Sequence, residues 1–481
     1  MADPESGARV GQRLVRRDGA SAIWGSAIRC GQAQAGNQES AHPVTSPATQ
    51  PHEPDRSPVA ILFGKVYVCH VARAQAAARA LAATGRQVLA LETTRSNDAW
   101  WPPSGRCDGL IRRSLFQETS YSQLTNVHIC RRTVEALEEF QPGAVVVLGW
   151  AFPESLEALR WCRLNNRAAV IVSESKADDS PRHRLSETIK RRIIALADSM
   201  LVGGQPHRDY AIELGMSPDR VFLGCDVVDN DYFRAATDAV RANPGAMNRR
   251  AMGLPDGPFW LSSNRFIPRK NLPALLDAYA HYRQAVGADA WALALLGDGE
   301  QRPLLDAKIH QEKIDGVWLP GYRPIDQLPN YYGLAEAFIH PALNEQWGLV
   351  VNEAMASGLP VLVSRTVGCR YDLVEDGENG FLFDPTSTDE IAGAMVRYHR
   401  LSESQRRRQA QASRRIIAEW PADRFGQGLL QAVDAGLRHS RQRRRRSLSD
   451  RISLLGVRWL ARRIRFSEQS FGPPTRQPGD T

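Results

Sequence analysis

Short apolar, β-branched runs alternate with helical segments through most of this 481-residue chain. VAILFGKVYV reads as a strand, HVARAQAAARALAATG as a helix ending at Gly85, and RQVLALETT as the next strand. A strand that returns through a helix to a neighbouring strand is the building unit of a parallel sheet. The rhythm continues with the helix VEALEEF, a Pro-Gly turn and the strand AVVVLG, then the strands AAVIVSES, SMLVGG and RVFLGCDVV. A second series opens at PDGPFWLSSNRFIPRKNLPALLDAY and runs through WALALLGDG, VWLPG, EAFIHP and VLVS. The chain therefore reads as α/β, with two doubly wound domains facing a cleft. Open sheets of this kind bind ligands outside the carboxyl ends of their strands, so residues just after strands are the ones to weigh.

The expected organisation is a disordered extension over 1–57, a first domain over 58–240, a second over 250–430, and a basic tail over 437–481. The linker is expected within 234–256. Residues 1–57 are rich in Gly, Ser, Gln, Pro and Ala and show no sustained period. The net charge of +8 is misleading, because 437–466 holds eleven Arg and one Asp, leaving the rest of the chain at −2. A basic tail gives no reason to call the core a nucleic-acid binder. No apolar run is long enough to cross a bilayer, and the opening segment shows no signal-peptide pattern. Seven scattered cysteines without CxxC spacing fit reduced thiols and a cytoplasmic setting.

Two glutamates carry the most chemical information. Glu345 and Glu353 stand in NEQWGLVVNEAMASGLPVLVS, with seven residues between them. FIH before Pro341 reads as a strand end, Asn344-Glu345-Gln346 as a loop, and Trp347 to Ser357 as a helix stopped by Gly358. Glu345 then lies in the loop and Glu353 about two turns into the helix. One carboxylate can reach a sugar while the other reaches a ribose, and the helix start between them, with Gly348, offers backbone N–H groups to a diphosphate. Arg265 and Lys270 follow a strand in SSNRFIPRKNL, with Arg269 as a third cation. Cations there stabilise the charge that grows on a departing diphosphate.

This constellation resembles the retaining group-1 glycosyltransferases of the GT-B type, with two Rossmann-like domains. The resemblance spans roughly residues 58 to 430 and is carried mainly by the second half. It implies a metal-independent enzyme, without a cofactor, that transfers a sugar from a nucleoside-diphosphate sugar to a glycan, lipid-linked or polysaccharide-precursor acceptor. It implies that Arg265 and Lys270 bind the diphosphate, that Glu353 accepts hydrogen bonds from the ribose, and that Glu345 faces the donor sugar. Gly297 in GDGEQRP and Tyr322 in PGYRP then lie beside the nucleotide. The usual mechanism is a front-side substitution; a nucleophilic role for Glu345, as in retaining glycosidases, stays open.

The first half departs from that family. HVARA replaces the usual Gly-Gly loop, and no histidine matches the family's first-domain histidine. His70 and Arg73 either meet the acceptor or simply start a helix. Trp150 and Glu174 follow strands and are cleft candidates. Asp229-Asn230-Asp231 spells the acidic triplet with which one-domain glycosyltransferases hold a divalent ion, but the cations here favour a metal-free site. A sugar-nucleotide epimerase, a phosphorylase and a non-catalytic nucleotide-sugar-binding module share the fold and are the alternatives. In the tail, Leu448, Ile452, Leu455 and Trp459 recur at helical spacing among arginines. That pattern suits either peripheral contact with an anionic membrane at its inner face or a helix packed on the protein.

Overall fold

The computed structural model describes residues 55–64, 68–95, 110–117, 119–179, 181–443 and 448–464. The expected disordered extension lies almost entirely outside them, as do the tail residues beyond 464. Residues Pro54–Thr481 form one compact unit. It contains two wholly parallel sheets. The first is built from β1 (Val59–Phe63), β2 (Val88–Thr94), β3 (Leu110–Phe116), β4 (Ala144–Leu148), β5 (Ala168–Ser173), β6 (Ser199–Val202) and β7 (Val221–Leu223). Its spatial order is β3-β2-β1-β4-β5-β6-β7. The second has β8 (Phe259–Ser263), β9 (Ala292–Leu296), β10 (Val317–Gly321), β11 (Ala337–His340), β12 (Val361–Ser364) and β13 (Gly380–Phe383). Its order is β10-β9-β8-β11-β12-β13.

The two α/β series of the sequence thus become two doubly wound sheets, and each sheet reverses its strand order at one point: between β1 and β4 in the first, between β8 and β11 in the second. Central strands such as VAILF and FWLSS are buried along their whole length, which is why they read as continuous apolar runs rather than alternating ones. β3 escaped that reading. As an edge strand, LIRRSLF can carry Arg112 and Ser114, because both reach the buried Glu92 on β2; Arg112 grips it with two bonds of 3.0 and 2.9 Å. Four cysteines whose side chains are described, at 130, 162, 225 and 369, are free and buried.

The domain boundaries differ from the sequence reading at both crossings. Much of the expected 234–256 linker is helix: Asn230–Ala242 is continuous and packs on second-sheet helices, so only the stretch after Ala242 is connector. The second domain also ends earlier than 430. The helix Ala422–Gln442 returns to the first sheet and covers β4 to β7 and the helix Val68–Ala82. Ser199 Oγ donates to the Ala432 carbonyl (2.6 Å), and Arg86 to Asp434 (2.7 Å). Buried Asp198 takes His439 at 2.8 Å and Arg443 at 3.0 Å. Residues 437–443 are therefore part of the first domain rather than of a tail.

This helix can approach so closely because Gly426 has no side chain: a Cβ there would lie 2.4 Å from the Ala76 carbonyl oxygen. Gly426→Val should overpack the contact and lower stability by about 1–3 kcal/mol. Urea unfolding followed by circular dichroism tests this; an unchanged midpoint would show that the two helices do not meet as described.

Candidate functional site

The residues singled out in the second half converge at the carboxyl edge of β10, β9, β8 and β11, next to the reversal of strand order. After β8 the chain makes a short turn, Pro268–Lys270, before the helix Leu272–Val286. After β11 it forms the loop that carries Glu345. The two loops are tied by Leu343 N–H donating to the Arg269 carbonyl at 2.8 Å. A third loop, after β9, fits between them: Phe266 N–H donates to the Asp298 carbonyl at 2.8 Å, and Gln301 N–H to the Phe266 carbonyl at 2.9 Å. Gly297 makes that fit possible. Its φ is +132°, and a Cβ there would stand 1.8 Å from the Asn264 carbonyl oxygen.

Lys270 Nζ donates to Glu345 Oε2, and both side chains are almost wholly buried. Arg269 lies 3.8 Å from the other carboxylate oxygen, and His340 Nε2 3.7 Å from Oε2. Burial alone would raise the Glu345 pKa, but Lys270, His340 and Arg269 together hold the carboxylate well below the usual range. Burial depresses the Lys270 pKa, and the neighbouring charges of Arg269 and Arg265 press the same way against the pull of Glu345. Arg265 is partly buried in the same loop. Sequence reasoning grouped Arg265, Lys270 and Glu345; it missed His340, which had been read only as the end of a strand. The residue is buried at that strand end, and burial keeps it neutral.

The helix after Glu345 runs Leu349–Ala356 and is capped by Gly348 at φ +105°. It begins two residues later than expected, so Glu353 sits little more than one turn from its start. Glu353 is partly buried and accepts a 2.8 Å hydrogen bond from the Tyr332 hydroxyl. Burial pushes its pKa up to about 7, against the small opposing effect of that bond. Tyr332, in LPNYYGL, was invisible as a partner because it comes from a different helix, Leu328–Leu334. Tyr322, in the loop after β10, is half exposed.

In the first half the structure brings Arg73 and Glu174 together, with His70 close enough to bear on the Glu174 charge. Arg73 lies inside the helix Val68–Ala82 and is buried, bonded to Asp226 (3.2 Å), Glu174 (3.4 Å) and the Val227 carbonyl (3.3 Å). In that placement its guanidinium ties Glu174, Asp226 and the Val227 carbonyl together. Burial and the neighbouring Glu174 push the Asp226 pKa well up, and Arg73 keeps Glu174 ionised despite its own desolvation. His70, in the same helix, rests 5.6 Å from the Phe63 ring. Trp150 packs against the first-domain core. Asp229-Asn230-Asp231 caps the Asn230–Ala242 helix: Asp229 accepts from Tyr232 N–H (2.9 Å), and Asn230 donates to the Ile417 and Trp420 carbonyls (2.8 and 3.1 Å). Among the described residues no three His, Cys, Asp or Glu side chains gather as a metal site.

Three further contacts had no sequence signal. His207, five residues beyond β6, is buried and bonded through Nε2 to the Gln346 carbonyl at 2.9 Å, while its Nδ1 accepts from Gly204 N–H. Asn344 donates to the Asp178 carbonyl at 2.8 Å, and Gln346 to Asp179 at 3.2 Å. The Glu345 loop is thus gripped from the first domain by the turns after β5 and β6. Glu154, 2% exposed near the β1–β4 reversal, accepts from the Tyr121 hydroxyl at 2.9 Å, and burial raises its pKa.

The raised pKa of Glu353 makes a measurable demand. A carboxyl that titrates near 7 when folded, against an ordinary 4.5, binds its proton more tightly in the folded state. Stability is then full below pH 4.5, falls as pH rises toward 7, and stays reduced above it, by on the order of 3 kcal/mol. Glu353→Gln, which keeps an acceptor for Tyr332, should match the parent at pH 4.5 and melt higher at pH 8. A melting difference that does not change with pH would refute this account of the site.

Comparison with known proteins agrees with this arrangement. Residues 248–415 match the family model for glycosyl transferases group 1. The chain is 28% identical over 310 residues to a D-inositol 3-phosphate glycosyltransferase of Saccharomonospora viridis, covering 61% of this chain and 67% of that protein. It is 29% identical over 215 residues to the alpha-D-kanosaminyltransferase of Streptomyces kanamyceticus, covering 44% and 54%. The chain thus spans about half to two thirds of the length of these relatives. Among solved structures, Anabaena HepE in complex with UDP and glucose superposes with a TM-score of 0.60 at 18% identity, covering 79% of this chain and 99% of that one. Sucrose-phosphate synthase from Thermosynechococcus elongatus does so at 0.58 and 20% identity, covering 78% and 98%. At such identities these structures establish the fold, that of the two-domain GT-B glycosyltransferases. Residues 248–415, which carry the loops of this site, thus match the group 1 glycosyl transferases, and both sheets take the two-domain GT-B fold.

Proposed function

We propose that this protein is a retaining glycosyltransferase that takes a sugar from a nucleoside-diphosphate sugar, without a divalent metal, and passes it to a hydroxyl of a glycan, lipid-linked or polysaccharide-precursor acceptor. The observation that carries the reading is the convergence of Arg269 and Lys270 on buried Glu345 where the second sheet reverses, with Arg265 beside Lys270 and Glu353 one turn into the following helix. HepE, of the same fold, was crystallised with UDP and with UDP-glucose, which supports a nucleoside-diphosphate sugar as the donor.

In this reading the diphosphate lies over the start of the Leu349–Ala356 helix, where the first N–H groups have no intrahelical partners. The acceptor oxygen bonds to the anomeric carbon on the face the leaving group occupies. The bond from that carbon to the phosphate oxygen breaks, and the acceptor's proton passes to that oxygen. Lys270 and Arg265 offset the charge gathering on the diphosphate. Glu345, held ionised, cannot donate a proton; it serves by accepting hydrogen bonds from donor-sugar hydroxyls and by fixing Lys270. Glu353 accepts from the two ribose hydroxyls.

Two experiments test the assignments. UDP-, GDP- and ADP-sugars are screened for thermal stabilisation; a nucleotide at a hundred times its Kd should add about 2.7 kcal/mol. Glu353→Ala should abolish the shift, and an unchanged shift removes Glu353 from the ribose. Glu345→Gln should lower turnover about 100-fold or more while changing nucleotide affinity only a few-fold; equal loss of both makes it a binding residue alone. Because ribose hydroxyls bind the ionised carboxylate, nucleotide affinity of the parent should weaken below pH 7 by up to about ten-fold per pH unit. Calorimetric titration at several pH values checks this, and flat affinity from pH 8 to 5.5 argues against it.

A further inference from the structure

The helix Leu448–Arg463 has two apolar faces, and the fold uses one of them. Leu454, Val457 and Ala461 are buried against the first-domain helices Asn126–Phe140 and Pro153–Leu164. With about 100° between successive residues, Ile452, Leu455 and Trp459 project from the opposite side. They are 52%, 68% and 59% exposed. Three members of the stripe picked out in the sequence, Ile452, Leu455 and Trp459, therefore face outward, and the helix is both packed on the protein and apolar toward solvent. Scattered exposed apolar residues are ordinary; three aligned on one helix are a patch.

On its own helix the flanks of this patch are one-signed. Arg451, Arg458 and Arg462 run along one flank and Arg463 along the other, its guanidinium 4.8 Å from the Trp459 ring centre, and all four are exposed. From Arg451 to Ile464 there is no Asp or Glu. The neighbouring helix Arg184–Ile194 touches this one and adds exposed Leu185 and Ile189, with exposed Arg191 and Arg192.

We infer that this face lies on an anionic lipid surface, with Ile452, Leu455 and Trp459 in the headgroup boundary and the flanking arginines on lipid phosphates. Apolar and cationic groups on one exposed helix face suit an interfacial helix lying in the membrane plane, and an indole is favoured at that depth. Nucleic acid would use the arginines and leave the apolar stripe in water. A protein partner would meet, on this helix, four exposed arginines and no carboxylate from Arg451 to Ile464. Among the described residues no helix is long and apolar enough to cross a membrane, so the contact is peripheral.

The test is flotation of the full-length protein with vesicles of phosphatidylcholine alone and of phosphatidylcholine mixed with phosphatidylglycerol. The protein should float with the mixed vesicles, not with phosphatidylcholine, and less as salt is raised. Ile452→Ser/Leu455→Ser/Trp459→Ser should lower partitioning about ten-fold or more with an unchanged melting curve. Arg451→Gln/Arg458→Gln/Arg462→Gln, which leaves the apolar faces intact, should do the same and carries the test alone if the serine variant misfolds. The inference is overturned if either folded variant floats as well as the parent. It is equally overturned if the parent ignores anionic vesicles, or if it binds duplex DNA through these residues while failing to float.

Discussion

Everything proposed for the donor side depends on keeping Lys270 and Glu345 charged in a place from which water has largely been removed. Desolvating two ions costs several kcal/mol each, and their attraction repays this only where geometry is fixed and further polar groups assist. The fold provides that fixation. The Arg269 carbonyl and Leu343 N–H join the two loops, Gly297 lets the third loop close against Asn264, and His340 and Arg269 flank the carboxylate. An ion pair so constrained adds little to stability. What it does provide is an ammonium already oriented, whose share of hydrogen bonding can be transferred from Glu345 to an incoming phosphate without rearranging the loop.

Glu353 illustrates the opposite solution for a buried carboxyl. Among the described residues its partner is one phenolic donor and no cation, so burial favours its neutral form. Two carboxyls on one short segment are thereby driven apart in pKa, one downward by neighbouring positive charge and one upward by burial. This difference in environment, not the spacing of the pair, separates a group suited to ordering cations and sugar hydroxyls from one suited to receiving ribose hydroxyls.

How much of this was legible in the sequence follows from how local each signal is. Arg265, Lys270, Glu345, Gly348 and Glu353 could be placed because strand, loop and helix are adjacent in sequence and the relevant edge of the sheet is fixed by topology. The strands of both sheets were legible for the same reason, apart from β13, whose short GFLF stands in a glycine-rich run that reads as loop, and β3, whose Arg112 is tolerable only because Glu92 waits on the next strand. Tyr332, His207 and the partners of Arg73 were not legible. Their contacts are 21, 139 and 153 positions distant in sequence, and nothing in a single sequence marks such pairs. Arg73 is the instructive case: a cation at a helix start after a strand gives no sign of the Asp226 it binds.

The C-terminal region shows a second limit of sequence patterning. A single apolar stripe on a helix predicts burial, so Leu448, Ile452, Leu455 and Trp459 alone would argue for packing. The segment has another stripe, Leu454, Val457 and Ala461, without an aromatic ring, that packs against neighbouring helices. The fold takes this stripe and leaves the one holding Trp459 outside. Trp459 carries a large apolar ring and one N–H donor, so burying it without a partner would cost more than burying Ala461. The arginines beside it would also lose hydration in a packed interface. The choice of which face docks is therefore set by the polar groups that each face would have to desolvate, and the face left outside is the one whose chemistry is tolerated at a boundary between water and lipid.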